Sequence, residues 1–122
     1  MAEPEIERRK QPRVRADDGV SIGIDAQVTG VQVRDISLSG LCFRLGHPLD
    51  FMTRLMITLV FPHDRPQNRG SALDDAIQCE GAVVRCEQVN DDYGTRYEVA
   101  VFFTKLDETA RRAIDRYVKT HV

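Results

Sequence analysis

The chain has 122 residues, of which 42% are hydrophobic and 30% are charged, and its formal net charge at pH 7 is −2. This length suits one domain with a modest core, and the near-neutral charge excludes the strongly basic surface of a general nucleic-acid-binding domain. An apolar run of roughly 20 residues, which a membrane-spanning helix needs, is absent, and the polar, acidic N-terminus does not resemble a signal peptide. We therefore expect a soluble cytoplasmic domain without membrane insertion.

Residues 1–15 are polar, contain two prolines and offer little apolar surface to bury. Such a segment does not order on its own, so we expect a flexible N-terminal arm. Between residues 8 and 15 there is no acidic residue, whereas five cations occur there: Arg8, Arg9, Lys10, Arg13 and Arg15. An anion-binding site is therefore expected in this arm.

From residue 16 to residue 104, short runs rich in Val, Ile and Phe alternate with polar residues and are separated by turn residues. This alternation is typical of β-strands. The runs cover residues 20–24, 31–34, 41–45, 55–61, 77–86 and 97–103. The 55–61 run is almost continuously apolar and predicts a strand buried on both faces, while residues 90–94 predict a hairpin connection. The spacing favours an antiparallel barrel or a sandwich.

The C-terminal segment, residues 105–122, changes to a helical period, with apolar residues every three or four positions. Thr104 and Asp107 are both suitable N-caps, and acidic residues favour the positive end of the helix dipole. An isolated helix of this length is marginal in water, so it should pack against the strands.

The cysteines and histidines do not form a metal or catalytic cluster. Cys42, Cys79 and Cys86 are odd in number and lie among apolar residues, as buried free thiols of a reducing compartment do. The three histidines are scattered, and there is no nucleophile elbow or phosphate-binding glycine loop. We therefore expect neither a metal, nor a cofactor, nor enzymatic activity.

The arginine run Arg8-Arg9-Lys10-Gln11-Pro12-Arg13 is a candidate anion site. A guanidinium can give two parallel hydrogen bonds to a phosphate or to the O6 and N7 atoms of guanine. Pro12 excludes a regular helix, and in an extended backbone Arg9 and Arg13 point to the same side. The competing interpretation is a solvated basic tail.

A second candidate is Asp35-x-Ser37-x-x-Gly40, which lies between two predicted strands. The aspartate can accept hydrogen bonds from the N1 and N2 edge of guanine. Ser37 can bond to its own turn or to a phosphate, and Gly40 allows either an unusual backbone conformation or a close approach. An ordinary turn would use the same residue types.

Taken together, the two segments resemble the RxxxR and DxSxxG motifs of the PilZ domain family. Their order and separation, the Tyr93-Gly94 start of the last strand and the junction at residues 103–107 extend the resemblance from about Glu7 to Tyr117. Ser39 stands where many members carry glycine. The resemblance implies a mainly β fold, a six-stranded antiparallel β-barrel with a C-terminal α-helix. It also implies cyclic di-GMP binding by Arg8, Arg9, Arg13, Asp35, Ser37 and Gly40.

The expected event is that the nucleotide bridges arm and barrel, which should meet only around it, and that the ordered arm then signals to a protein partner. Motility and biofilm regulation are both compatible outputs, as are a monomer and a homodimer. The main alternative is a PilZ-shaped interaction adaptor that does not bind nucleotide. A barrel that binds single-stranded nucleic acid is disfavoured, because the charge is negative and the chain has only eight aromatic residues.

Overall fold

The computed structural model describes residues 12–16, 19–25, 28–61 and 76–121. The mainly β class with a C-terminal helix is confirmed. Within these ranges the elements are β1 (Val14–Arg15), β2 (Ser21–Ile24), β3 (Val28–Ile36), β4 (Gly40–Leu45), β5 (Arg54–Val60), β6 (Ala76–Asp91), β7 (Gly94–Lys105) and α1 (Glu108–His121).

Six antiparallel strands close into a barrel in the order β3, β2, β5, β6, β7, β4, because β4 pairs again with β3. The predicted six-stranded antiparallel barrel is therefore confirmed. The two-residue β1 is an additional strand that pairs with β3 at Asp35 and Ile36. At these two residues β4 pairs with one edge of β3, so β1 pairs with the opposite edge. Farther along β3, that opposite edge pairs with β2.

The barrel interior is filled by the alternating apolar residues of each strand, as the sequence pattern predicts. Phe43 of β4, Val83 of β6 and Val99 of β7 are fully buried there. The prediction that the 55–61 run is buried on both faces is wrong. Leu55, Ile57 and Leu59 face the core, whereas Met56 is 50% exposed, because one face of a barrel strand points away from the interior.

The hairpin that joins β6 to β7 turns at Asp91–Gly94, where residues 90–94 predict it. Gly94 has φ of +99°, a conformation that glycine adopts without a steric cost. The Asp91 carboxylate accepts a hydrogen bond of 2.9 Å from the Tyr93 N–H. This bond and a second one from Arg44 hold the pKa of Asp91 below its usual value.

Helix α1 begins after Asp107, whose Oδ1 accepts a 2.8 Å hydrogen bond from the Ala110 N–H. Asp107 is therefore the N-cap, and Thr104 belongs to β7. The apolar face of α1 is buried against β6 and β1, and Tyr117 packs on Phe61 with ring centroids 5.3 Å apart. No helix in the described ranges is both long enough and apolar enough to cross a membrane.

Most of the expected N-terminal arm, residues 1–11, lies outside the described residues. The end of that segment belongs to the fold: Val14 is buried, and Val14 and Arg15 pair with β3. The predicted boundary after residue 15 thus falls at the end of β1 and assigns this strand to the arm. The domain boundaries after residues 15 and 104 stay predictions.

Candidate functional site

The turn between β3 and β4 is built around Ser37. Its backbone N–H donates a 2.8 Å hydrogen bond to the Gly40 carbonyl. Its Oγ accepts one of 3.1 Å from the Ser39 N–H and lies 2.9 Å from the Ser39 hydroxyl. Because Ser37 is only 1% exposed, these bonds satisfy a buried hydroxyl that would otherwise be costly. The side chain of Ser37 thus fixes the shape of the turn, and Ser39 in place of glycine adds a contact to it.

Gly40 serves the contact between β4 and β7. Its φ is not positive, so the turn does not require glycine for its backbone conformation. A Cβ at this position would instead lie 2.0 Å from the carbonyl oxygen of Val101. The adjacent Ser39 carbonyl accepts a 2.9 Å hydrogen bond from the Phe103 N–H. Gly40 therefore allows the turn to lie against the β7 backbone.

Arg13 and Asp35 bring the two motifs into direct contact. Pairing of β1 with β3 places Val14 opposite Ile36 and Arg15 opposite Asp35, so Arg13 follows the strand edge toward the turn. The Arg13 guanidinium donates a hydrogen bond to the Asp35 carboxylate. The expectation that arm and barrel meet only around a ligand is therefore wrong for Arg13.

A depression on the outer barrel surface lies beside this contact. Strand register places one residue from each of four neighbouring strands in a row: Asp35, Cys42, Ala100 and Arg85. The two central residues, Cys42 and Ala100, have small side chains, so they leave a shallow cleft between the charged side chains at the two ends of the row. The volume of the depression is about 470 Å³, which is within the usual range of ligand-binding clefts. It is lined by Arg13, Asp35, Ser37, Ser39, Cys42, Val84, Arg85, Glu98 and Ala100.

Glu98 is held by two arginines on neighbouring strands. Its carboxylate lies 3.0 Å from Nε of Arg44 and 3.9 Å from Nε of Arg34. Arg44 also contacts Asp91 at 3.2 Å. The charged residues that line the depression are two arginines, Arg13 and Arg85, and two carboxylates, those of Asp35 and Glu98. Burial, together with Glu98 and Asp35, raises the pKa of the Cys42 thiol to about 12, so the floor of the depression is uncharged at neutral pH.

The structure brings together three of the predicted site residues, Arg13, Asp35 and Ser37, at one end of the depression. Gly40 belongs to the same turn but faces β7, and Arg8 and Arg9 lie outside the described residues. Among described residues, no group of three or more potential metal ligands was found.

Six further lining residues were not among the predicted site residues, and one of them, Ser39, lies in the turn itself. Cys42 of β4 closely follows the second motif, whereas the other four, Val84, Arg85, Glu98 and Ala100, come from β6 and β7 and are far from both motifs in the sequence. The alternation of each strand indicates which residues face outward, but only the register between strands shows that they are neighbours.

Comparison with known proteins identifies a family. The model of the PilZ domain matches residues 7–120. No curated protein matches. Similar solved structures include the Bacillus subtilis inhibitor of motility MotI/DgrA, with a TM-score of 0.66 and 19% identity over 93% of this chain and 50% of that chain. The PilZ domain of Escherichia coli YcgR with c-di-GMP has a TM-score of 0.62 and 18% identity over 93% and 91%.

A third similar structure is the K. pneumonia MrkH–c-di-GMP complex, with a TM-score of 0.68 and 18% identity over 92% of this chain and 51% of that chain. The chain thus spans about half the length of MotI/DgrA and MrkH. At these identities the structural likeness shows the shared fold. The family model covers almost the whole sequence, and the chain therefore belongs to the PilZ domain family.

Proposed function

We propose that this chain is a bacterial receptor for cyclic di-GMP, a second messenger, and not an enzyme. The nucleotide binds in the depression beside the Ser37–Gly40 turn. The observation that carries the proposal is the Arg13–Asp35 contact, because it places the end of the RxxxR segment at the edge of a depression lined by the other motif. The YcgR and MrkH structures with c-di-GMP, which share this fold, support the choice of ligand.

The predicted residues have different roles in this proposal. Arg8, Arg9 and Arg13 bind the phosphates and stack on or hydrogen-bond to guanine. Asp35 accepts hydrogen bonds from the N1 and N2 edge of a guanine base. Ser37 and Gly40 act through the turn: the first by its internal hydrogen bonds, the second by its close approach to β7.

Charge explains why the N-terminal arginines are needed. The lining residues that the structure describes carry two positive and two negative side chains. A dianionic nucleotide gains little net attraction from such a balanced surface. Arg8 and Arg9 would supply the excess positive charge. Binding should therefore weaken with rising salt, as it does for ligands held by several charged contacts.

The signalling step follows from the same contacts. A nucleotide held by Arg9 and Arg13 would hold residues 8–11 on the outer barrel surface beside Arg13 and present a new surface to a protein partner. We place this event in the cytoplasm. Regulation of motility is consistent with MotI/DgrA, whose name describes an inhibitor of motility.

Isothermal titration calorimetry with cyclic di-GMP tests the proposal. We expect the wild type to bind and Arg9→Ala and Arg13→Ala to bind at least tenfold more weakly, because each hydrogen bond to a charged group contributes about 1.5–3 kcal/mol. Arg116→Ala, which changes an exposed arginine on α1, is the matched control and should bind like the wild type. A wild type that does not bind overturns the proposal and favours the nucleotide-independent adaptor.

A further inference from the structure

The outer surface of β6 has a β-bulge at the far end of the depression. Val83 pairs with Val101 of β7, and Arg85 pairs with the next β7 residue in the row, Ala100, so Val84 is an extra residue in β6. Val83 is buried, whereas Val84 and Arg85 are both exposed. A regular strand would send one of these two side chains into the core. The bulge therefore directs an apolar and a cationic side chain together to the outer surface.

Arg85 can contact a ligand more readily than Arg44, the arginine on β4 near the depression. Its side chain is 49% exposed, whereas that of Arg44 is 22% exposed and bonded to two carboxylates. Arg85 contacts Glu87 at 3.3 Å, and both partners are exposed. Pairs of this kind contribute about 0–1 kcal/mol, so a ligand can replace Glu87 at little cost.

The distance between the two ends of the depression limits what can contact both. From Asp35 the row crosses Cys42 and Ala100 to reach Arg85, which is three interstrand steps. At about 4.8 Å a step, the ends are roughly 14 Å apart along the sheet. This is wider than one guanine base, but a molecule with two bases can reach both ends.

The geometry points to a second guanine subsite at Val84 and Arg85, which binds the base that Asp35 does not bind. The inference rests on the proposed function and adds a specificity determinant outside the two motifs. The Arg85 guanidinium would donate two hydrogen bonds to O6 and N7 of guanine, while the Val84 methyl groups contact the ring. Adenine carries an N6 amino donor in place of O6, so the same arginine disfavours it.

A cyclic dinucleotide with only one guanine separates the two ends experimentally. Cyclic GMP–AMP can place its guanine at Asp35, which leaves adenine at Arg85. We expect the wild type to bind cyclic di-GMP roughly 10- to 100-fold more tightly than cyclic GMP–AMP, the discrimination typical of one bidentate arginine–guanine contact. Arg85→Ala should weaken cyclic di-GMP binding by that factor and leave cyclic GMP–AMP binding almost unchanged.

Two further variants distinguish this contact from a general effect of charge. Arg85→Lys keeps the charge but lacks the planar fork, so it should not restore the discrimination. Arg54→Ala removes an exposed arginine on β5 that does not line the depression, and it should bind both nucleotides like the wild type. Thermal unfolding of Arg85→Ala should match the wild type, since its ion pair lies at the surface.

The outcomes separate this inference from the proposed function. If the wild type binds and Arg13→Ala weakens binding, but Arg85→Ala behaves like the wild type, the second subsite is wrong while the receptor function stands. Equal weakening of both nucleotides by Arg85→Ala, with recovery in Arg85→Lys, also overturns the guanine contact in favour of simple charge attraction. A wild type that binds neither nucleotide overturns the receptor function and the subsite with it.

Discussion

Gly40→Ala tests whether the glycine of the DxSxxG motif acts through the fold or through the ligand. The new Cβ would lie 2.0 Å from the Val101 carbonyl oxygen and 3.1 and 3.2 Å from further β7 backbone atoms. Since these neighbours are backbone, no side-chain rotation relieves the clash, and β4 must move away from β7 by about 1 Å. Overpacking of this kind costs about 1–3 kcal/mol. Weakening of one or two strand hydrogen bonds adds about 0.5–1.5 kcal/mol each.

We therefore expect Gly40→Ala to lose about 2–5 kcal/mol of unfolding free energy, measured by urea denaturation without nucleotide. For a chain of this size, that corresponds to a fall in Tm of roughly 8–20 °C. Gly46→Ala is the matched control: its Cβ meets nothing within 4 Å and its φ is not positive, so stability should stay within about 1 kcal/mol of the wild type. A Gly40→Ala protein as stable as the wild type that fails to bind nucleotide would refute the packing role.

Three other changes test individual interactions. Asp107→Ala removes the N-cap of α1 and should cost about 1 kcal/mol in urea denaturation, with Asp107→Asn close to the wild type; no loss would contradict the capping bond to Ala110. Arg13→Ala should cost less than about 1 kcal/mol because the pair with Asp35 is partly exposed, and a larger loss would make the pair structural. Burial raises the pKa of Cys42 and Cys79 to about 12, so native alkylation at pH 8 should be slow compared with urea-unfolded protein. Because unfolded thiols ionise near pH 9, stability should also fall as pH rises above about 9; rapid native alkylation or a flat profile would contradict this.

The strands and the helix could be predicted because their patterns have a direct physical cause. Period-2 alternation reflects one face that packs in the barrel, and the apolar stripe of α1 reflects the face buried against β6 and β1. The alternation of apolar and polar residues did not predict where β6 ends. The prediction ended β6 at residue 86 because the residues that follow are mostly polar. In the structure β6 continues to Asp91, because these residues pair with β7.

The candidate site was predictable only at its motif end. Arg13 and Asp35 could be proposed from residue type and spacing, and the structure places them in contact. Val84 and Arg85 could not, because alternation alone would place adjacent strand residues on opposite faces. The bulge that brings both to the surface depends on register with β7, which a single sequence does not encode in any local pattern.

The Arg13–Asp35 contact also changes how binding should be accounted for energetically. β1 already holds Val14 and Arg15 against β3, so a nucleotide need not order the chain beyond Arg13. Each residue that a nucleotide has to order costs about 1–2 kcal/mol, which offsets much of the roughly 1.5–3 kcal/mol of a charged hydrogen bond made by that residue. Contacts that need no ordering therefore contribute more to the affinity. In the proposed complex such contacts lie on the barrel, at Asp35 of β3 and at the Val84–Arg85 bulge of β6, where strand pairing already holds the backbone. A second subsite at the bulge would therefore raise the affinity without a further ordering cost.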